Sequence, residues 1–143
     1  MRRIFYSLLT LIFLAAGCDR SRLTIVENSQ ELSEVLIYKI YYKYLETYKL
    51  KETKRVNLHI VSYNHLQKII NDGDSIVGLC QYGFIYDDIY ICERESYITF
   101  IHELTHVYFG PSEEKAYGRE KEFSPILEKL LEEEFQSEEV QMH

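Results

Sequence analysis

The feature that most constrains this chain of 143 residues is the stretch 101–107, which contains His102-Glu103-x-x-His106 in a run suited to a helix. Two histidines four positions apart lie one above the other on a helix face, so their imidazole rings can bind one zinc ion together. The glutamate between them has the position of a general base beside such an ion. The sequence therefore predicts a helix that carries two metal ligands and a base.

The first residues have the layout of an export signal. Arg2 and Arg3 precede a short apolar segment, residues 4–14, and small residues then lead to Cys18. Residues 4–16 make only 13 positions, whereas a membrane-spanning helix needs about 20. A cleaved signal over residues 1–17 is thus favoured over a retained membrane anchor.

Residues 14–18, Leu-Ala-Ala-Gly-Cys, resemble the lipobox of bacterial lipoproteins. The resemblance implies cleavage before Cys18 and a diacylglycerol group on its thiol. The protein would then lie outside the cytoplasm, anchored to the membrane by lipid. Asp19 follows directly, which in enterobacteria-like Gram-negative cells resembles the signal for staying at the inner membrane.

The chain is acidic, with a formal net charge of −7. This charge argues against a nucleic-acid partner and against electrostatic docking on anionic lipid. Acyl chains, rather than charge, would therefore hold the protein at the membrane.

The length predicts one folded domain over residues 29–143, joined to the membrane by a polar tether over residues 18–28. Helix signals begin at Ser29. Apolar and aromatic residues then recur at three- and four-residue intervals, which is typical of a long amphipathic helix that ends near Lys51.

A small sheet is predicted after this helix. Residues 56–63 alternate as a strand does, with His59 on the face away from the apolar positions, where it is a poor ligand candidate. A short helix follows at 65–70, and the segments 75–82 and 84–92 are rich in β-forming residues. This order predicts an α+β fold with a small, mostly antiparallel sheet.

Two further cysteines, Cys80 and Cys92, flank a segment with the pattern of a hairpin. If the turn centres near Tyr86, the two residues face each other, and export permits a disulfide between them. A turn at Gly83 would break that pairing and leave two free thiols. The sequence leaves both outcomes open.

The helix with the two histidines is predicted over residues 97–108, with Ser96 as its cap and Gly110-Pro111 as its end. Ser112 caps a second helix, which can continue past a reset at Ser124-Pro125 into the segment 126–135. Residues 136–143 are predicted to be a frayed tail.

A catalytic zinc site takes three protein ligands and leaves one position for water. No histidine follows His106 until His143, so the third ligand must be an acidic residue in the second helix. The candidates are Glu113, Glu114 and Glu120.

Residues 99–117 resemble the gluzincin branch of the zincin metallopeptidases. Residues 99–108 fit every position of the family's extended His-Glu-x-x-His pattern, including its exclusion of charge, and residues 113–117 fit the downstream motif Glu-x-x-Ala-[Asp/Asn/Tyr]. The resemblance places Glu113 at the third ligand. Glu120 shares the helix stripe of Glu113, whereas Glu114 is turned about 100° away, so they rank second and third.

The resemblance implies a small zincin-like domain that holds one zinc ion and cleaves a peptide or protein substrate with Glu103 as general base. Tyr117, Tyr108 and Tyr86 are candidates to stabilise the oxyanion. The strand over residues 84–92 could pair with an extended substrate if it lies at the sheet edge. Two alternatives are a non-catalytic binding module on the same scaffold and a histidine pair that is merely polar surface. The intact Glu103 favours catalysis, because a binder needs no base.

Overall fold

The computed structural model describes residues 22–70, 76–92 and 96–141. The predicted export signal and Cys18 lie outside these ranges. No helix within them is long and apolar enough to cross a membrane. The elements of the described part are, in chain order, β1 (Leu23–Asn28), α1 (Glu34–Thr47), β2 (Val56–Val61), α2 (Tyr63–Ile70), β3 (Gly78–Gln81), β4 (Asp87–Cys92), α3 (Ser96–Phe109) and α4 (Glu113–Gln141).

The four strands form one mixed sheet in the order β1-β2-β4-β3. The α+β class is confirmed, but the expectation of a mostly antiparallel sheet is wrong. The β1–β2 and β2–β4 pairs are parallel, and only β3 and β4 are antiparallel. The β1–β2 pair is parallel because α1 returns the chain along the sheet between them, so both strands start at the same end of the sheet.

The predicted tether contains the first strand. Residues 23–28 pair with β2 along its length, and Leu23 is only 1% exposed. A tether over the whole of residues 18–28 is therefore wrong, because residues 23–28 form a strand whose Leu23 and Ile25 pack into the core.

The long amphipathic helix begins later than predicted. Ser29 belongs to the turn after β1, where its backbone N–H donates to the Ile60 carbonyl at 2.9 Å. The Asn28 side chain accepts from the Leu32 N–H at 3.0 Å and closes this turn. Ser33 is the actual cap, and its hydroxyl oxygen accepts from the Leu36 N–H at 3.2 Å.

The helices α1, α3 and α4 cover one face of the sheet and α2 packs against the other. Cys80 packs on the side of the sheet that α1, α3 and α4 cover, and Cys92 packs on the α2 side. Cys80 is paired with Ile89 in the β3–β4 register, three positions before Cys92, and both thiols are free. Of the two outcomes that the sequence leaves open, the structure has the free thiols, because an odd offset places the two side chains on opposite faces of the sheet.

The hairpin is shorter than the predicted strands, since residues 82–86 form its loop. Its second strand, β4, lies inside the sheet between β2 and β3. The suggestion that residues 84–92 form a substrate-binding edge strand is thus wrong, because both edges of β4 are occupied. The edge position next to β4 belongs to β3.

The two C-terminal helices confirm the predicted order, with one correction. α4 is a single helix from Glu113 to Gln141 that includes Pro125, so neither the reset nor the frayed tail over residues 136–141 exists. A proline inside a helix costs about 3 kcal/mol. Burial of Phe123 and Leu127 on either side of it offsets that cost.

Candidate metal centre

α3 is held in place by the core below it and by α1 at its side. Ile101, Leu104 and Val107 are buried in the core below it. On the α1 side, the Tyr44 hydroxyl lies 2.7 Å from the Thr105 hydroxyl, which itself bonds the Ile101 carbonyl. Because His102 and His106 occupy the remaining face, the packing of their helix determines where both imidazoles point.

A tight turn brings the next helix back to these histidines. Gly110 ends α3 with a φ of +89°, a conformation that favours glycine. Ser112 then caps α4 by accepting from the Lys115 N–H at 3.3 Å. The short connection therefore places Glu113, the first residue of α4, directly beside the histidine pair.

His102, His106 and Glu113 each offer one ligand atom, and these atoms lie within 4.8 Å of one another. The two Nε2 atoms are 3.1 Å apart. The Glu113 carboxylate oxygens lie 3.1 Å from His102 Nε2 and 3.2 Å from His106 Nε2. In the part of the chain that the structure describes, this is the group that could hold a metal ion.

The other ring nitrogen of each histidine has its own acceptor. His106 Nδ1 lies 3.2 Å from the Gly110 carbonyl oxygen, and His102 Nδ1 bonds the Glu120 carboxylate. A proton on each Nδ1 leaves both Nε2 atoms with lone pairs, facing each other and a carboxylate. Such a set of donors is stabilised by a cation, and two imidazoles with one carboxylate suit zinc.

Glu103 is only 5% exposed, between α3 and the edge strand. Burial, with added repulsion from the Glu113 and Glu120 carboxylates, raises the pKa of Glu103 to about 8. Its carboxylate fits because the facing residue is Gly78, where a Cβ would lie 2.6 Å from Glu103 Oε1 and 2.4 Å from Thr99 Cγ2. Gly78 therefore permits the close approach of β3 and α3.

A cleft of about 500 Å³ opens over this group. Its floor contains His102, Glu103 and His106, and β3 forms one wall. Because Glu113 is 64% exposed while the histidines are largely buried, the group is open to solvent from the α4 side. The remaining lining is mostly apolar: Ile76, Val77, Leu79, Cys80, Tyr82, Thr99, Pro111 and Tyr117.

The candidates for the third ligand have three different places. Glu113 faces both Nε2 atoms, and Glu120 contacts the far side of the His102 ring. Glu114 is exposed and outside the metal-compatible group. Glu120, the second-ranked ligand, thus has the geometry of a residue that orients His102.

Of the tyrosines considered for the oxyanion, Tyr117 lines the cleft, with its ring centroid 4.9 Å from that of His102. Tyr108 instead bonds the Tyr41 hydroxyl at 3.2 Å, and Tyr86 is exposed in the hairpin loop. Tyr82, which sequence patterns did not single out, lines the cleft and donates to the His106 carbonyl at 3.1 Å. The only sequence signal for Tyr82 was its place directly before Gly83, at a predicted turn.

His59 lies apart from the site, as predicted. Its ring is stacked on Tyr90, with 4.4 Å between the centroids, and its Nε2 lies 2.9 Å from the Asp88 carboxylate. These contacts are on the sheet face opposite to α3.

A Glu120→Ala substitution is expected to weaken zinc binding about 10- to 100-fold, as the loss of an outer partner of a ligating histidine commonly does. Glu120→Gln should lose less, because an amide oxygen can still accept from His102 Nδ1. Zinc affinity can be measured by competition with a chromophoric chelator. Glu128→Ala, at an exposed position of the same helix, serves as control. Equal affinity in Glu120→Ala and the control would contradict the orienting role.

A comparison with known protein families, curated proteins and solved structures finds no match to this chain.

Proposed function

We propose that this protein is a zinc-dependent metallopeptidase of the gluzincin type. The observation that supports it best is the convergence of His102, His106 and Glu113 to within 4.8 Å, beside a buried glutamate in the same cleft. The proposal includes the zincin-like character of the domain and a location outside the cytoplasm, with lipid on Cys18 as the membrane anchor.

Each residue of the site has a defined part in this proposal. His102 and His106 would hold the ion through Nε2, and Glu113 through its carboxylate. Glu120 and the Gly110 carbonyl keep the Nδ1 protons in place, so that Nε2 stays available. When bound, zinc supplies an activated water and polarises the scissile carbonyl. Glu103 accepts the proton of the attacking water and returns it to the leaving amine.

The substrate would bind along β3. This strand lies at the sheet edge and forms a wall of the cleft, so an extended peptide could pair with its backbone. The cleft volume of about 500 Å³ has room for only a few side chains. We therefore expect contacts with a short stretch of peptide.

Removal of metal by a chelator is expected to abolish peptide cleavage, and about one equivalent of zinc should restore it, because the site has a single set of three ligands. Cleavage can be followed by mass spectrometry on an unbiased peptide library. Magnesium is the control, because it prefers oxygen ligands and should not restore activity. Full cleavage by the metal-free protein would contradict the proposal.

A further inference from the structure

The start of β1 and the β3–β4 loop lie at the same end of the sheet. The parallel registers place Leu23 next to Val56, and Val56 next to Asp87. These three residues begin β1, β2 and β4, so the segments that lead into them all lie at one end of the sheet. We name this end the docking end, and define it as Arg22, residues 49–55 and the loop 82–86.

The loop of the docking end is apolar and protrudes. Phe84 is 105% exposed and Ile85 is 65% exposed at its tip. Tyr82 and Tyr86, about half exposed, flank them. Exposed apolar side chains next to tyrosines are typical of segments that enter the boundary between water and lipid.

The docking end is also basic, although the whole chain has a net charge of −7. Arg22 and residues 49–55 contain five basic side chains and one acid, Glu52. The Glu52 carboxylate accepts from the Arg22 N–H at 2.7 Å, and the nearby Asp87 carboxylate turns inward to accept from the Gly83 N–H at 3.1 Å. The exposed basic residues are Arg22, Lys49, Lys51, Lys54 and Arg55.

We propose that the docking end lies against the membrane surface, with Phe84 and Ile85 inserted at the lipid boundary and the basic residues on anionic headgroups. This proposal rests on the proposed lipid on Cys18, which decides which end of the protein faces the membrane. Leu23 comes five positions after Cys18, and an extended chain of that length spans at most about 17 Å. Lipid at Cys18 would therefore hold the docking end close to the bilayer.

This surface revises the expectation that charge plays no part at the membrane. Each basic residue near an anionic surface strengthens binding about fivefold. The local excess of basic side chains therefore favours this one end over the acidic remainder of the protein. Because Tyr82 belongs both to the loop and to the cleft lining, docking would place the cleft beside the membrane.

The chain contains no tryptophan, so a Phe84→Trp variant of the full chain reports on the loop alone. The variant is combined with phosphatidylcholine vesicles that contain roughly 30% phosphatidylglycerol, with and without brominated acyl chains. Phe135→Trp is the matched control. Phe135 is 67% exposed on α4, and its neighbour Glu134 contacts Ser33 and Lys39 near the start of α1, at the opposite end of the sheet.

The expected result is a blue-shifted emission for Phe84→Trp and at least about threefold stronger quenching by brominated lipid than for Phe135→Trp, because apolar tips enter the acyl boundary. In the Phe84→Trp background, the triple change Lys51→Glu, Lys54→Glu, Arg55→Glu should lower that quenching. The triple change Lys68→Glu, Lys121→Glu, Lys129→Glu, at exposed positions elsewhere, should not.

Flotation of the vesicles distinguishes a failure of the docking end from a failure of the lipid anchor. A chain that floats while both tryptophan variants are quenched equally little overturns the docking end and leaves the lipid anchor in place, with the loop then facing protein or solvent. Quenching that survives the first triple change overturns the role of the basic residues. Zinc content should be the same in all these variants, so the outcome is independent of the metal centre.

Discussion

Replacement of Glu103 by glutamine is expected to lower the rate of peptide cleavage by about 10³-fold while zinc content stays unchanged, since a positioned general base contributes roughly 10²- to 10⁴-fold. Glutamine has the shape of glutamate but cannot accept the water proton. Glu103 contributes to the cleft without belonging to the group of ligand atoms, so the ion should remain bound.

The same substitution should not unfold the protein. Burial and repulsion from the Glu113 and Glu120 carboxylates raise the pKa of Glu103, so a neutral amide of equal size resembles the protonated form that this buried position favours. A melting temperature equal to or above that of the wild type is therefore expected. Glu128→Gln is the control for activity, because Glu128 lies exposed on α4. Equal cleavage by Glu103→Gln and the wild type would refute the role as base.

The helix that carries the histidine pair could be predicted from the sequence because its information is local. The spacing of His102 and His106 places both on one helix face, whichever fold surrounds them. Ala116 is fully buried between α4 and the rest of the protein, so the Glu-x-x-Ala motif also reflects a close contact of helices. Glu113 follows from that contact, because it lies three positions before the alanine on the same stripe.

The contact of Glu120 with His102 could not be predicted in the same way. It shares a helix stripe with Glu113, and both are within reach of a neighbouring helix. Which imidazole nitrogen each carboxylate meets depends on how α3 and α4 cross, and that crossing is set by packing across the whole core. The sequence could therefore rank Glu113 before Glu120 as a ligand, but could not show that Glu120 contacts Nδ1 of His102.

The sheet was harder to predict than the site for a related reason. β1 pairs with β2 across a 14-residue helix, and a short strand of this kind has no partner close in sequence to reveal it. Because polar residues flank this strand, the sequence pattern predicts a tether there. Gly78 is a second case. The sequence pattern does not show that its missing side chain leaves space for Glu103.

Removal of one imidazole ligand is expected to have the largest effect on metal binding. His106→Ala should weaken zinc binding about 100- to 1000-fold, because structural sites with four protein ligands bind zinc with about 10–16 kcal/mol, which amounts to roughly 3 kcal/mol for each ligand. His106 is largely buried and its ring is fixed by the Gly110 carbonyl. A water molecule that takes its place would lack this preorganisation. Zinc content is measured by elemental analysis after dialysis.

Glu113→Ala should lose less affinity than His106→Ala, because the Glu113 side chain is 64% exposed and must be ordered when it binds the ion. His65→Ala removes an exposed histidine of α2 and should keep all of its zinc. Undiminished zinc in both His106→Ala and Glu113→Ala would refute the centre. If Glu113→Ala keeps its zinc while Glu120→Ala loses as much as His106→Ala, then Glu120 is the third ligand, and α4 must shift along α3 when the ion binds.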